Sequence, residues 1–423
     1  MLSGAKWMLY AFASLVFIFF NSVLFHIHQR DFRYLKLSTR DLSITRDTIT
    51  ALDNQTFIIS PYYEPREGNS VRVIAIIHVS VKELFCVFHC SPNKTISVRA
   101  KIDLHRDRFG FSYGTADLLC AEPPGCDYRY ISFQSPKSTN LTQKILFEIR
   151  NRPLPSISSN FTVCISTVYG DYNNVLQMVQ SIEMYKILGA SKVTIYNTSC
   201  SRTVDKVLRH YIEEGTLEVV QWPIDKHLQT SDKWLFTKGL TSDISYYGQV
   251  AALNDCLYRN MYTSKYILLN DIDEIILPAK DWCWSSLMER LQKEDPTTSV
   301  FCIENHFFPT SVNDSRFNLW SHVPGVNILQ HPFREPIDWK KFNARKLIVN
   351  PRKVFQTSIH SVLKHTGSWK NLPQSMAILF HCTRARRQDI TVNDFIRDEL
   401  LWKYNMSLVP NVDKVIQNLF SQR

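Results

Sequence analysis

The sequence predicts an α/β fold. A doubly wound core (156–423) is preceded by a small β-rich module (55–155) and by one N-terminal transmembrane helix (7–27). Three patterns lead there. Strands and helices alternate from Phe161 onward, apolar residues recur at strand period between Phe57 and Arg150, and Trp7 to Ile27 is almost continuously apolar. A chain of 423 residues is too long for one ordinary core and suits two modules plus an anchor.

The apolar run approximates one bilayer crossing at a rise of about 1.5 Å per residue. Residues 1–6 are then a cytoplasmic tail and 28–54 a polar stem. A cleaved signal peptide is the competing reading, but the apolar core is long and a small-x-small cleavage site is missing. Flanking charge points the other way. Arg30, Arg33, Lys36 and Arg40 follow the span and only Lys6 precedes it, against the positive-inside rule for a lumenal C-terminus. Sequons and cysteines decide for the lumen. Asn-x-Ser/Thr acceptors follow the span at Asn54, Asn93, Asn140, Asn160, Asn197, Asn313 and Asn405, and all but Asn197 are expected to carry glycans. None of the 10 cysteines lies in the span. The spacing of Cys86/Cys90 and Cys120/Cys126 is not that of a zinc ribbon, so disulfides are expected, with connectivity open.

The net charge of +10 is spread among interleaved acids and bases. Without zinc-finger spacing, a basic helix or a stacking motif, no nucleic-acid partner is expected. The basic excess suits an anionic small substrate such as a nucleotide diphosphate.

In the module, Val71–Ile77 is rich in β-branched residues, and Ile96–Ile102 and Ile145–Ile149 alternate. Pro123-Pro124-Gly125 interrupts the chain, and Arg152-Pro153-Leu154-Pro155 reads as a linker. In the core, Phe161–Val168 is a buried strand and Asn174–Leu188 a helix stopped by Gly189. Lys192–Tyr196 is a strand, Thr203–Glu214 a helix before Gly215, and Leu217–Val220 a strand. Such a succession opens a parallel sheet, whose ligands bind beyond the carboxyl ends of the strands. Thr167, Tyr169 and Asn197 stand at those ends and are candidate nucleotide-sugar contacts. A glycan on Asn197 would obstruct that site, so this sequon is expected to be unmodified or to lie off the nucleotide path. No Gly-x-Gly-x-x-Gly is present, which leaves the dinucleotide reading without support.

A helix at Gln249–Arg259 leads to the apolar strand Lys265–Leu269 and then to Asn270-Asp271-Ile272-Asp273-Glu274. The strand runs straight into these acids, and because side chains alternate along a strand, Asp271 and Asp273 face one side. Two carboxylates side by side repel unless a cation or proton separates them. Mn²⁺ or Mg²⁺ suits hard oxygen ligands and bridges to diphosphate, stabilising the departing nucleotide. The bland alternative is that these acids cap a turn.

Here a resemblance becomes specific. The chain resembles glycosyltransferase family 92, which includes galactosyltransferases. The matching pieces run from about Phe161 to Arg386: Glu183-Met184-Tyr185-Lys186-Ile187-Leu188-Gly189, Gln249, Asn254-Asp255-Cys256-Leu257-Tyr258-Arg259, Asp271-Ile272-Asp273-Glu274 with Pro278, Arg345 to Pro351, Ile359-His360 and His381-Cys382-Thr383-Arg384. Tyr62-Tyr63 and Val71–Ile74 resemble the region ahead of that core. The resemblance implies a GT-A type core, residence in the Golgi membrane as a single-pass type II protein, UDP-galactose as donor, a glycan or glycoprotein acceptor and inverting displacement.

Asp271 and Asp273 are the candidate metal ligands, joined by His360, with His381 as the weaker histidine. Lys346 is a candidate for the diphosphate, beside Arg345 and Arg352. The acceptor hydroxyl needs a general base within hydrogen-bond reach, and Glu304, Glu335 and Asp338 lie where such bases fall. Trp282, Trp284, Phe307, Phe308 and Trp339 are candidates for sugar stacking, with core packing the alternative for each. Two rival readings are an Asp-nucleophile phosphohydrolase and a lectin-like or inactive ectodomain on a transferase fold.

Overall fold

The computed structural model describes residues 32–35, 42–91, 94–136 and 144–420. The expected membrane span (7–27), its tail and the sequons Asn93 and Asn140 lie outside these residues. Among the described residues no helix is long and apolar enough to cross a membrane. The chain divides into two compact units, one made of residues up to Leu104 and Ala116–Arg152, the other of His105–Thr115 and Pro153–Arg423.

The first unit has two sheets over one core. One has six strands in the order Phe32–Leu35, Lys94–Arg99, Phe85–Ser91, Tyr130–Gln134, Lys144–Glu148, Leu42–Ile44; the other has five strands. Val73, Ala75, Ile77, Phe88, Ile96, Leu118 and Ile131 pack between them. Cys86–Cys120 and Cys90–Cys126 are disulfides, so each cysteine of one close pair joins one of the other. The fully buried Arg72 is held by the buried carboxylates Asp117 and Glu64.

The second unit is mixed α/β. Its elements are β1 Ser159–Val168, α1 Val175–Leu188, β2 Lys192–Asn197, α2 Arg202–Glu214, β3 Leu217–Gln221, α3 Gln249–Asn260, β4 Ser264–Asn270, β5 Glu274–Pro278, α4 Trp284–Glu294, β6 Thr298–Ile303, β7 Asn305–Pro309, β8 Lys346–Val349, β9 Ser368–Leu372, β10 Ala377–Thr383 and α5 Asn405–Phe420. Helix boundaries follow local chemistry. The Ser201 hydroxyl accepts from the Val204 N–H to start α2. Gly189 and Gly215, at φ 111° and 85°, end α1 and α2 in the left-handed region where a Cβ is unfavourable.

The main sheet runs β3-β2-β1-β4-β8-β6-β9. Its first four strands are parallel, as a doubly wound sheet requires, but β8 is antiparallel to both β4 and β6. The sheet is therefore mixed. β1, β4 and β6 end on one edge, at Val168, Asn270 and Ile303, and β8 begins on that edge at Lys346. Ile165 pairs with Asn270, and Ile303 with Lys346. A smaller sheet, β5-β10-β7, continues from the turn after β4.

Candidate active site

The edge where β1, β4 and β6 end gathers most of the residues singled out in the sequence. The strand does not run through the acids, however. β4 stops at Asn270 and β5 starts at Glu274, with the Glu274 N–H donating to the Asp271 carbonyl at 3.2 Å. Asp271-Ile272-Asp273 is thus a turn, where pleat alternation does not apply, and the two carboxylates have different partners. The turn is clamped from behind. The Tyr185 hydroxyl of α1 donates to the Glu274 carbonyl at 2.7 Å, and Glu274 Oε2 accepts from the Asp271 N–H at 3.0 Å.

Asp271 Oδ1 accepts from the Ser166 hydroxyl at 3.0 Å and from Gln249 Nε2 at 2.9 Å, while Oδ2 accepts from Lys346 Nζ at 2.6 Å. Lys346 Nζ also lies 3.2 Å from Glu274 Oε2, and its side chain is only 1% exposed. The cation that relieves repulsion among these acids is therefore, in the first place, the protein's own ammonium. Burial opposes ionisation of Asp271, yet Lys346, His360 and Ser166 together hold its carboxyl below the usual range. Burial outweighs Lys346 at Glu274 and pushes that carboxyl up to about 7. Lys346 is raised, because its two carboxylates overcome the cost of burial.

Asp273 faces a different neighbour. Its Oδ2 lies 3.2 Å from His381 Nε2, and its side chain is 29% exposed. His381 Nδ1 is 3.4 Å from Glu274 Oε1 and 3.1 Å from Asn305 Nδ2. Burial works against protonating His381, but Asp273 and Glu274 raise its pKa overall. His360 sits in the turn between strands Val354–Thr357 and Val362–His365 and is not the histidine against Asp273. Its Nδ1 donates to the Arg345 carbonyl at 3.0 Å, leaving Nε2 as the basic nitrogen. Burial first, then the Lys346 charge, lowers its pKa to about 4.

A resident metal is testable against this geometry. Among the described residues no three His, Cys, Asp or Glu side chains converge on one point, so an all-protein cage does not fit. A metal shared with a diphosphate needs only one or two protein ligands. Neighbouring ligands of an octahedral ion at about 2.1 Å are about 3 Å apart, close to the Asp273–His381 spacing. Glu274 behind His381 supplies the carboxylate that commonly orients a metal-binding histidine. Asp273 and His381 fit such a shared ion, whereas both oxygens of Asp271 are already engaged.

Thr167 Oγ1, Asn197 Oδ1 and Asn270 Oδ1, at the ends of β1, β2 and β4, are buried and make no hydrogen bond within the chain. Asn197 is 8% exposed with Nδ2 against Cys200 Sγ, a placement inaccessible to a glycan. Tyr169 follows β1 and stacks on Tyr247 at 4.1 Å between centroids. Tyr246 and Tyr247 have φ of 43° and 54°, conformations that cost about 1–3 kcal/mol each and concentrate at functional sites. They precede Gln249, which reaches Asp271, and the Trp222 indole N–H holds the Tyr247 carbonyl at 2.8 Å. The strained pair did not announce itself in the sequence, and Tyr185 stood there only within a matching segment, because backbone strain and clamping from behind have no periodicity.

The candidate bases separate. Glu304 directly follows β6 on the same edge, 15% exposed, with Arg345 Nη2 at 3.6 Å. Glu335 is buried, and its Oε1 accepts from the Arg386 and Arg387 N–H groups. Asp338 caps a surface turn, accepting from the Lys340 N–H at 3.1 Å. Arg352 is spent on the Met261, Ser264 and Lys265 carbonyls. Trp284 is core, its indole N–H bonded to the Ile276 carbonyl, and Phe308 is 1% exposed. Phe307 lies on His381 at 5.1 Å, while Trp282 and Trp339 are exposed.

A protein of Caenorhabditis elegans named β-1,4-galactosyltransferase galt-1 is 23% identical over 339 residues, which cover 76% of this chain and 71% of that protein. Two further C. elegans proteins, both named as glycosyltransferase family 92 proteins, are 26% identical over 198 residues (47% of this chain, 37% of theirs) and 24% identical over 219 (51% and 40%). The sequence profile of glycosyltransferase family 92 matches residues 159–422, nearly the whole second unit and the entire edge just described, and the chain belongs to that family.

Proposed function

We propose that this family 92 member is a metal-dependent, inverting transferase of GT-A type that moves a hexose from a UDP-sugar to a glycan or glycoprotein. Galactose from UDP-galactose is the donor favoured by the name of the relative. The observation that carries the reading is the turn Asp271–Glu274, held with Ser166, Gln249 and Lys346 at the edge where the parallel strands β1 and β4 end. Mn²⁺ or Mg²⁺, held by Asp273 and His381, supplies charge stabilisation for the departing diphosphate.

The chain's own residues do the rest. Lys346 keeps Asp271 and Glu274 ionisable side by side, Glu274 orients His381, and Ser166 with Gln249 fixes Asp271 toward the nucleotide. The Tyr169/Tyr247 stack and Thr167 line the nucleotide side. Glu304 accepts the proton of the acceptor hydroxyl as its oxygen bonds to the sugar's anomeric carbon and the bond to the diphosphate oxygen breaks. Asp338 and Glu335, tied to backbone N–H groups, are set aside as bases.

The same reading makes the chain a type II Golgi membrane protein, anchored by residues 7–27 with its bulk in the lumen. Exposed sequons at Asn54, Asn160 and Asn313 and three disulfides support it. The test is a panel of UDP-sugars and oligosaccharides with Mn²⁺, followed by mass spectrometry. Transfer from one UDP-hexose with inversion is expected. UDP binding without transfer of any sugar would favour the lectin-like alternative.

A further inference from the structure

We propose that Phe342, with Trp339 in the same loop, is the platform on which the acceptor saccharide stacks, an inference that rests on the transferase reading. Phe342 is 79% exposed and Trp339 69%. Exposure alone would say little; the fixing of the backbone beneath Phe342 says more. Asn343 Oδ1 accepts from the Asn305 N–H at 2.8 Å, and Asn343 Nδ2 donates to the Asn305 carbonyl at 3.0 Å. Asn305 Nδ2 donates in turn to the Ala344 carbonyl at 3.1 Å. The two residues after Phe342 are thus bolted to the residue whose amide also meets His381.

The loop runs straight into β8, so its last residue but one before Lys346 is Ala344, and Phe342 stands at the edge where β1, β4 and β6 end. Its ring meets His360 edge-on at 5.9 Å. Trp339 rides on a turn closed by the Lys341 N–H to the Asp338 carbonyl at 3.0 Å and by the Asp338 cap. An exposed ring on an ordered base loses little freedom when a ligand covers it. A pyranose presents an apolar C–H face that suits an aromatic ring and a rim of hydroxyls that suits polar groups. Glu304 and Arg345 supply those groups beside the loop. The transferase reading assigns the donor's diphosphate to the Asp273 and His381 side, which leaves these rings, with Lys340 and Lys341 between them, to the acceptor sugar.

The experiment uses the full chain in detergent, with UDP and Mn²⁺, on an oligosaccharide array with varied terminal hexoses, N-acetylhexosamines and deoxyhexoses. UDP affinity is measured in parallel. The wild type is expected to bind at least one glycan class. Phe342→Ala should weaken that binding roughly three- to tenfold, Trp339→Ala by less, and Phe342→Tyr should restore it, all at unchanged UDP affinity. Equal glycan binding by wild type and Phe342→Ala overturns the platform, as does a wild type that binds UDP and no glycan. A wild type that does not bind UDP overturns the transferase reading instead.

Discussion

Lys346 is the residue on which the others depend. A lysine ammonium 1% exposed is expensive to bury unless its charge is matched, and Asp271 and Glu274 match it at 2.6 and 3.2 Å. Lys346→Met would leave the buried Glu274 beside Asp271 without the ammonium that both carboxylates contact. Removing one partner of a buried pair typically costs about 3–5 kcal/mol, and because Asp271 keeps 34% exposure the low end, about 3 kcal/mol, is expected. Thermal melts should show a fall of several degrees with transfer also lost; an unchanged midpoint would show that the ammonium is not holding the turn. The identities of the two aspartates were legible in the sequence because an apolar strand runs into them. Their orientation was not. The strand ends at Asn270, before either aspartate, so alternation does not reach them, and only the structure shows Tyr185 and Glu274 folding the turn back. The choice between His360 and His381 was equally hidden, since it depends on β10 pairing with β5 and setting His381 opposite Glu274.

At the scale of elements, the periodic ones were legible and the exceptions have identifiable causes. α2 shows its apolar stripe plainly, with Val204, Val207, Leu208 and Tyr211 buried. α1 was found for the same reason, but its polar residues are buried as well. Gln177 Nε2 donates to the Cys382 carbonyl and Gln180 Nε2 to Asn327 Oδ1, so a polar face is covered by partners far along the chain. The antiparallel β8 was likewise hidden, because three apolar residues after Lys346 read alike in either direction. Cysteine connectivity is likewise non-local: Cys164 of β1 is joined to Cys256 of α3. Six cysteines are paired, leaving Cys200, Cys283, Cys302 and Cys382 as thiols. Alkylation of the denatured, unreduced protein should therefore add four groups by intact mass. Ten would contradict the disulfides, and none would mean that these four are paired too.

For the whole molecule, division into a β-rich unit and an α/β unit followed from the change of period near Phe161. The segment His105–Thr115, which belongs to the second unit although it lies within the first unit's sequence, had no such signal. The lumenal assignment predicts glycans on exposed sequons and none on the buried Asn197. Peptide-N-glycosidase should sharpen and lower the apparent mass, and peptide mapping should find Asn197 unmodified. An unmodified chain, or a glycan on Asn197, would contradict the placement.

The central claim is that Asp273 and His381 share a metal with the donor diphosphate. Its most direct test is transfer measured against Mn²⁺ concentration for the wild type, Asp273→Asn and His381→Gln, each shown by melting to be folded. Asp273→Asn should lower transfer at least about a hundredfold, because the metal supplies several kcal/mol and each 1.36 kcal/mol is tenfold. His381→Gln should raise the Mn²⁺ requirement at least about tenfold, since losing even an outer-shell partner of a metal ligand costs about 10–100-fold. Near-normal transfer by both variants, with the wild type's Mn²⁺ dependence unchanged, would contradict the claim and return Asp273 to the role of a turn residue.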